Sequence, residues 1–290
     1  MSSEDVTGSL TPADQAALAL AVEALERVTF AGRITSVLGR QIGTASRFVP
    51  ARVSGVATKA AGAALKAALR VALTSLGDQR RGDTRVFHRA LAAASGAAGG
   101  AFGLVSLPLE LPVSTTVMLR SIADIARAEG EDLSHPDAAL ACLEVFALGG
   151  RSTGVDLMDG GYFAVRALLA KSVSEAATYI AQKGVVDEAA PALVRLMSQI
   201  AGRFGVVVSQ KLAAQATPVI GALGGAAINL AFTEHFQSLA KGHFTVRRLE
   251  RRYAPGAIRR EYERIAAARG VRASRGSKAA EDGPTVSAGA

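Results

Sequence analysis

Residues 212–233, LAAQATPVIGALGGAAINLAFT, run for twenty-two positions without a charge. Gly221, Gly225, Asn229 and Thr233 recur at every fourth residue, so a helix would gather the small and polar groups into one stripe and leave Leu, Ile, Val and Phe on the others. Strict alternation, the mark of a half-buried strand, is absent from the segment. The earlier stretch 90–109, ALAAASGAAGGAFGLVSLPL, has the same character over twenty residues, with Gly96, Gly100 and Gly103 spaced i, i+4, i+7. GAAGGAFG in the first and GALGGAAI in the second suggest a weak internal duplication. Two glycine-striped helices pressed closely together in a core is the packing this predicts, with membrane contact as the alternative use of the same stripes. In such a place Asn229 needs a partner, because an unpaired buried amide costs roughly 1–3 kcal/mol.

The composition agrees with helix throughout. Hydrophobic residues make up 49% of the 290, yet aromatics are only 5%, Trp is absent and Gly numbers 30. Ala and Leu, the best helix formers, therefore carry the apolar mass, and the expected fold is an all-α multi-helix bundle. Residues 1–10 read as disordered, 11–268 as one helical domain, and 269–290 as a disordered basic and polar tail. Within the domain, Thr11-Pro12 opens a helix with Asp14 three residues on, and Leu18, Val22, Leu25 and Val28 give it an apolar face. A second helix ends at Gly77. Pro108 and Pro112 bracket Glu110 as a break, after which a helix runs from Pro112 to Ala128 and Gly130 closes it. Ser134 reads as the cap of a helix that stops at Gly149-Gly150, and further helices are expected over YFAVRALLAKSVSEAATYIAQKG and from Asp187 to Phe204.

The charge is uneven. Of 33 Lys and Arg, eleven lie between Arg247 and Lys278 against three Glu, so the remainder of the chain is balanced. Arg247, Arg248, Arg251, Arg252, Arg259 and Arg260 are candidates for an anionic surface such as lipid headgroups, while Leu249, Tyr253, Ile258, Tyr262 and Ile265 give the same stretch an apolar side that can dock on the body. Nucleic-acid binding has only these arginines and two tyrosines in its favour. Arg120, Asp124, Arg127 and Glu131 alternate in sign at helical spacing, as a solvated face or a partner-binding surface would.

Taken together, SGAAGGAFGLVSLPLELPVSTTVMLRSIADIARAEGEDL, HPDAALACLEVFALGG and PVIGALGGAAINLAFTEHFQSLAKGHFTVRRLERRY resemble the EcsC protein family over residues 15–265. The resemblance implies a helical, membrane-related protein, with an ABC transporter as a partner to consider, because the family's namesake is encoded beside one. It implies no catalytic residue, metal or cofactor.

The residues themselves add little chemistry. Gly150-Arg151-Ser152-Thr153-Gly154 matches a nucleophile elbow, and Asp187 and then His235 or His243 follow in hydrolase order, but no strand–helix alternation surrounds it. A serine hydrolase centred on Ser152 is thus the enzymatic alternative to a non-enzymatic accessory protein, and a soluble interaction module is the third reading. Four His and one Cys show no metal-ligand spacing. Glu110, Glu144 and Glu234 lie in apolar surroundings and are candidates for lining one pocket. Cys142 reads as a buried core thiol. The start MSSEDVTGSL has no secretory pattern, so a cytoplasmic protein, peripheral on the membrane or partly inserted in it, is the expected setting.

Overall fold

The computed structural model describes residues 10–27, 29–38, 51–75, 107–150, 161–183, 190–215 and 221–270. Nine α-helices and one π-turn make up this part, and it contains no strand, as the composition requires. The helices are α1 (Pro12–Val22), α2 (Phe30–Leu38), α3 (Ala51–Ser75), α4 (Leu107–Ala128), α5 (Pro136–Leu148), α6 (Tyr162–Lys183), α7 (Pro191–Gln215), α8 (Gly221–Arg252) and α9 (Pro255–Ala268), with the π-turn at Glu23–Arg27.

The 32-residue α8 is the axis of the bundle. At 1.5 Å per residue it is about 48 Å long. It packs against α1, α2, α4, α5, α7 and α9 in turn, and Ile228, Phe232, Phe236, Leu239, Ala240, Phe244, Val246 and Leu249 are all buried. Five of the chain's ten Phe meet around its first half: Phe30, Phe146, Phe204, Phe232 and Phe236, with ring centroids 5.0–6.0 Å apart. Edge-to-face contacts dominate, the arrangement that ring quadrupoles favour. So few aromatics suffice because they are concentrated here.

The most extensive helix pair is α3 with α7. Ala57, Ala61, Ala64, Ala68 and Ala72 form a buried ridge down α3, and their short side chains let the two backbones approach. Gly205 lies at this crossing, where a Cβ would sit 3.1 Å from the Cα of Thr58. Gly242 plays the same part between α8 and α1, within 3.2 Å of the carbonyl of Ala21. Close packing through small residues is therefore realised at these Ala and Gly positions. Gly96, Gly100 and Gly103 lie outside the described residues. Gly221 and Gly225 are on α8, and Gly225 is buried.

Several boundaries differ from expectation for local reasons. Thr11 caps α1 as read, accepting the Asp14 N–H at 3.2 Å, and Leu18, Val22 and Leu25 are buried. The run expected to continue breaks into a π-turn and α2, with Val28 between them outside the described residues. Pro112 lies within α4 instead of starting it. It is only the sixth residue of that helix, so its missing N–H forfeits a single bond to the first turn, and its own carbonyl accepts from Thr116 at 2.9 Å. Gly130, with φ of 82°, ends the helix in a Schellman motif: its N–H reaches Arg127 O and that of Glu131 reaches Ala126 O. Ser134 does not cap α5, because Asp132 takes both its hydroxyl (2.7 Å) and its N–H (3.0 Å), and His135 occupies the cap position. Finally α7 begins at Pro191, not Asp187, and continues past Phe204 to Gln215. The charge-free stretch 212–233 is thus divided between the end of α7 and the start of α8.

Candidate functional site

Three polar centres stand out against this core. The deepest joins α4, α7 and α8. Lys211, the one charge between Arg203 and Glu234 in sequence, is fully buried and donates to Glu110 at 2.8 Å and to the Asn229 side-chain oxygen at 2.7 Å. Its ammonium also lies 4.9 Å from the centroid of the Phe232 ring. Burial lowers the Lys211 pKa, and Glu110 works against that shift. The partner that Asn229 needed is therefore Lys211. Thr233 completes the group by donating to the Asn229 carbonyl at 3.0 Å.

The second centre lies where α6, α8, α9 and the π-turn converge. Glu26 Oε1 accepts the Tyr162 N–H at the start of α6 and the Tyr262 hydroxyl, each at 2.9 Å. The Tyr162 and Tyr262 rings stack with centroids 5.6 Å apart. Tyr162 Oη is 2.9 Å from His243 Nδ1. Burial pushes the phenol's pKa up and the imidazole's well down, with Arg247 and Arg166 adding to the latter, so both groups are neutral at neutral pH. The two neutral groups share one hydrogen bond whose direction the imidazole tautomer sets. Nε2 is buried and has no hydrogen-bond partner among the described residues. Around this chain of groups, Arg166 binds both oxygens of Glu250 (2.9 and 3.0 Å) and Arg247 binds both of Glu131 (2.9 and 3.0 Å). Glu144 is buried nearby on α5. Burial raises its pKa, opposed by Arg247 and Arg166.

The third centre is Asp14, at the start of α1. Its carboxylate is buried and collects Arg248 (3.3 Å) and Arg252 (3.0 Å) from the end of α8 and Tyr253 Oη (2.8 Å) from the residue that follows it. The Tyr253 hydrogen bond leads in holding its pKa low, against burial, with Thr11, Arg248 and Arg252 contributing. Arg248 also reaches Glu129 at 2.7 Å, and Arg251 pairs with Glu131.

These placements revise the charge reading. Glu131 does not belong to a solvated stripe: its side chain is 5% exposed and clamped between Arg247 and Arg251. Asp124 and Arg127 pair with each other at 3.0 Å and are largely buried. Of the six arginines considered for an anionic surface, Arg247, Arg248, Arg251 and Arg252 are engaged by carboxylates of the body. Arg259 pairs with Glu263 on its own helix at 3.1 Å, and Arg260 is exposed. The apolar side of that stretch docks inward, with Leu249, Ile258, Tyr262 and Ile265 buried.

The acidic trio expected to line one pocket has three separate surroundings. Glu110 faces Lys211, Glu144 faces Arg247 and Arg166, and Glu234 is partly exposed with Arg33 at 4.0 Å. For the hydrolase alternative, Ser152 and Asp187 lie outside the described residues. His235 packs in the phenylalanine cluster, 5.8 Å from the Phe30 ring and 5.3 Å from Phe236. Gly150, the first glycine of the elbow match, has a packing role: a Cβ there would lie 2.0 Å from the carbonyl oxygen of Arg203. Cys142 is a free, fully buried thiol whose pKa burial pushes up, which makes it a poor nucleophile. No cluster of His, Cys, Asp and Glu suited to a metal occurs among the described residues.

Glu26 and Tyr162 carry no motif and were passed over in sequence; Asp14 was read only as part of the α1 cap and His243 only as an alternative hydrolase histidine. Lys211 did leave a signal, as a lone charge in a long apolar stretch.

One helix among those described, α7, is long and apolar enough to cross a membrane, although 56% of its most apolar window is buried against neighbours. No curated protein and no solved structure matches the chain. Residues 24–249 match the family model described as the EcsC protein family, from the π-turn to the last turn of α8. The chain belongs to the EcsC protein family.

Proposed function

We propose that this chain is a non-enzymatic accessory or regulatory protein that works at the membrane, where its charge-free stretches contact lipid or a membrane protein such as an ABC transporter. The observation that carries the reading is the place of the Lys211–Glu110 pair. Glu110 immediately follows the uncharged stretch 90–109, and Lys211 immediately precedes the uncharged stretch 212–233. At 2.8 Å they neutralise each other inside the bundle, with Asn229 as third partner. The chain thus leaves one apolar stretch and enters the other at a single place, where the two charges that border them are withdrawn from the surface, while Glu234 at the far end of the second stretch is partly exposed. An apolar contact with lipid or with membrane helices favours such an arrangement, since unpaired charges at its margin would oppose it.

The arginine-rich end supports a different emphasis from the one its charge suggests. Most of those side chains are spoken for by Asp14, Glu129, Glu131 and Glu263. Attraction to anionic headgroups therefore contributes less than the apolar stretches do. Cell fractionation tests this: the protein is expected in the membrane pellet after a high-salt wash, with alkaline carbonate then separating inserted from peripheral attachment. Recovery in the soluble fraction before any wash would sink the proposal.

A further inference from the structure

Helix α9 is attached in an unusual way. Its inner face is apolar and buried, through Ile258, Tyr262, Ile265 and Ala266. Tyr262 donates to Glu26 at 2.9 Å, stacks on Tyr162, and meets the edge of Phe163 with centroids 5.1 Å apart. The Arg259 guanidinium lies over the Phe163 ring, 5.5 Å from its centroid. Around this face runs a polar rim: Gln15 donates to Glu261 at 3.1 Å, and Arg269 donates to the Ala19 carbonyl at 2.8 Å and to Glu23 at 3.3 Å. These tertiary contacts all use side chains of α9 or of its final turn.

The joint to the bundle is short. Tyr253 and Ala254 stand between α8 and α9, and Pro255 opens α9. A proline there has no N–H, so swinging α9 away at this joint breaks no backbone bond that Pro255 would otherwise make. The joint is fixed from outside by Asp14, which holds Tyr253 on one side and Arg248 and Arg252 on the preceding turns of α8. Thr11 adds its N–H to Tyr253 Oη at 3.3 Å.

From this geometry we infer that α9 is a detachable strap, latched at its hinge by Asp14, that opens as a unit over the Glu26–Tyr162–Phe163 face while the rest of the bundle stays folded. What it covers is chemically distinct from the rest of the core. Beneath it lie the Glu26 carboxylate that caps the start of α6, the Tyr162 phenol, the Phe163 ring and, behind Tyr162, the neutral imidazole of His243. Closing the strap keeps these groups dry, and opening it exposes an aromatic face with one acid at its centre. Access to that face is then set jointly by the rim contacts of α9 and by the aspartate that fixes its hinge.

Hydrogen–deuterium exchange on the full chain tests this. The amides of 258–268 are expected to exchange together, through an opening that leaves α7 and α8 protected. Asp14→Asn should speed them by about tenfold or more, since it weakens charge-assisted bonds, with α7 and the first half of α8 unchanged. Tyr262→Phe should speed the same amides by less. Should Asp14→Asn fail to fold, Arg252→Gln makes the same comparison, because that side chain is 58% exposed and its loss leaves no buried arginine behind. Exchange of α9 only at the rate of α8, or α9 exchange that neither latch variant alters, would overturn the inference.

Discussion

The Lys211 centre and the Asp14 centre use the same kind of bond under opposite conditions. At Lys211 one ammonium, one carboxylate and one amide meet with the lysine side chain fully buried and Glu110 at 6% exposure. At Asp14 one buried carboxylate meets two arginines whose side chains are 34% and 58% exposed, plus a phenol. Water reaches the partners of the second but not of the first. In the dry site, removing one member strands the other, and desolvation makes that expensive. In the wet site, the stranded group is re-solvated and the loss is modest. The first centre can therefore act as a permanent pin, and the second as a latch.

The largest effect is expected from Lys211→Ala, which leaves Glu110 unpaired in the core and should cost about 3–5 kcal/mol in denaturant unfolding. The double replacement Lys211→Met with Glu110→Leu should recover most of that loss, since it removes both charges and keeps the volume. A double variant as unstable as the single one would show that the pair does more than neutralise itself. Next comes Asp14→Asn, at about 1–3 kcal/mol from weakened charge-assisted bonds, with its wild-type partner losing this margin in high salt. The Lys211 pair should be indifferent to salt, and equal salt sensitivity at both centres would erase the distinction. Acid should also act on the latch. Because the folded-state pKa of Asp14 is depressed, its contribution is present above the ordinary aspartate range and is lost as pH falls through the folded value.

Glu144→Gln should show the reverse sign. Burial raises the Glu144 pKa, so its ionisation opposes folding, and wild-type stability from this group falls as pH rises through the raised value. Melting curves of variant and wild type should draw closest in acid, and the variant should gain ground as pH increases. A constant gap across pH would show that Glu144 is not the titrating group. The smallest change is expected at Arg259→Ala. That side chain is 62% exposed, pairs within its own helix and otherwise only rests over the Phe163 ring, so a loss of about 0–1 kcal/mol is all that melting should detect.

Sequence reached some of this and stopped short of the rest for physical reasons. Helix content, the Thr11 cap, the Gly130 stop and the burial of Asn229 all follow from local chemistry, which a single chain segment carries. So does the inward docking of Ile258, Tyr262 and Ile265, foreseen as one of two options for an amphipathic basic helix. The arginine assignments depended on what lies opposite. Asp14 is 234 positions from Arg248, and Glu131 is 116 from Arg247, so no spacing rule could pair them. Ala57, Ala61, Ala64, Ala68 and Ala72 were legible as a periodic ridge, yet glycine drew attention because it is rarer. Pro112 misled because proline marks the first turn of a helix as readily as a break between helices. Glu110 and Glu144 were singled out as buried acids, and both are buried; their partners, Lys211 for one and Arg247 with Arg166 for the other, come from distant segments that sequence spacing does not reveal.

We propose that the protein's contact with membrane is apolar and not electrostatic. Flotation of the purified full chain with vesicles, with and without anionic lipid and at low and high salt, tests it most directly. The account predicts flotation that depends little on anionic lipid and survives high salt. Flotation confined to anionic vesicles and abolished by salt would contradict it and return the role to the arginines, and no flotation with any vesicle would remove lipid as the direct partner.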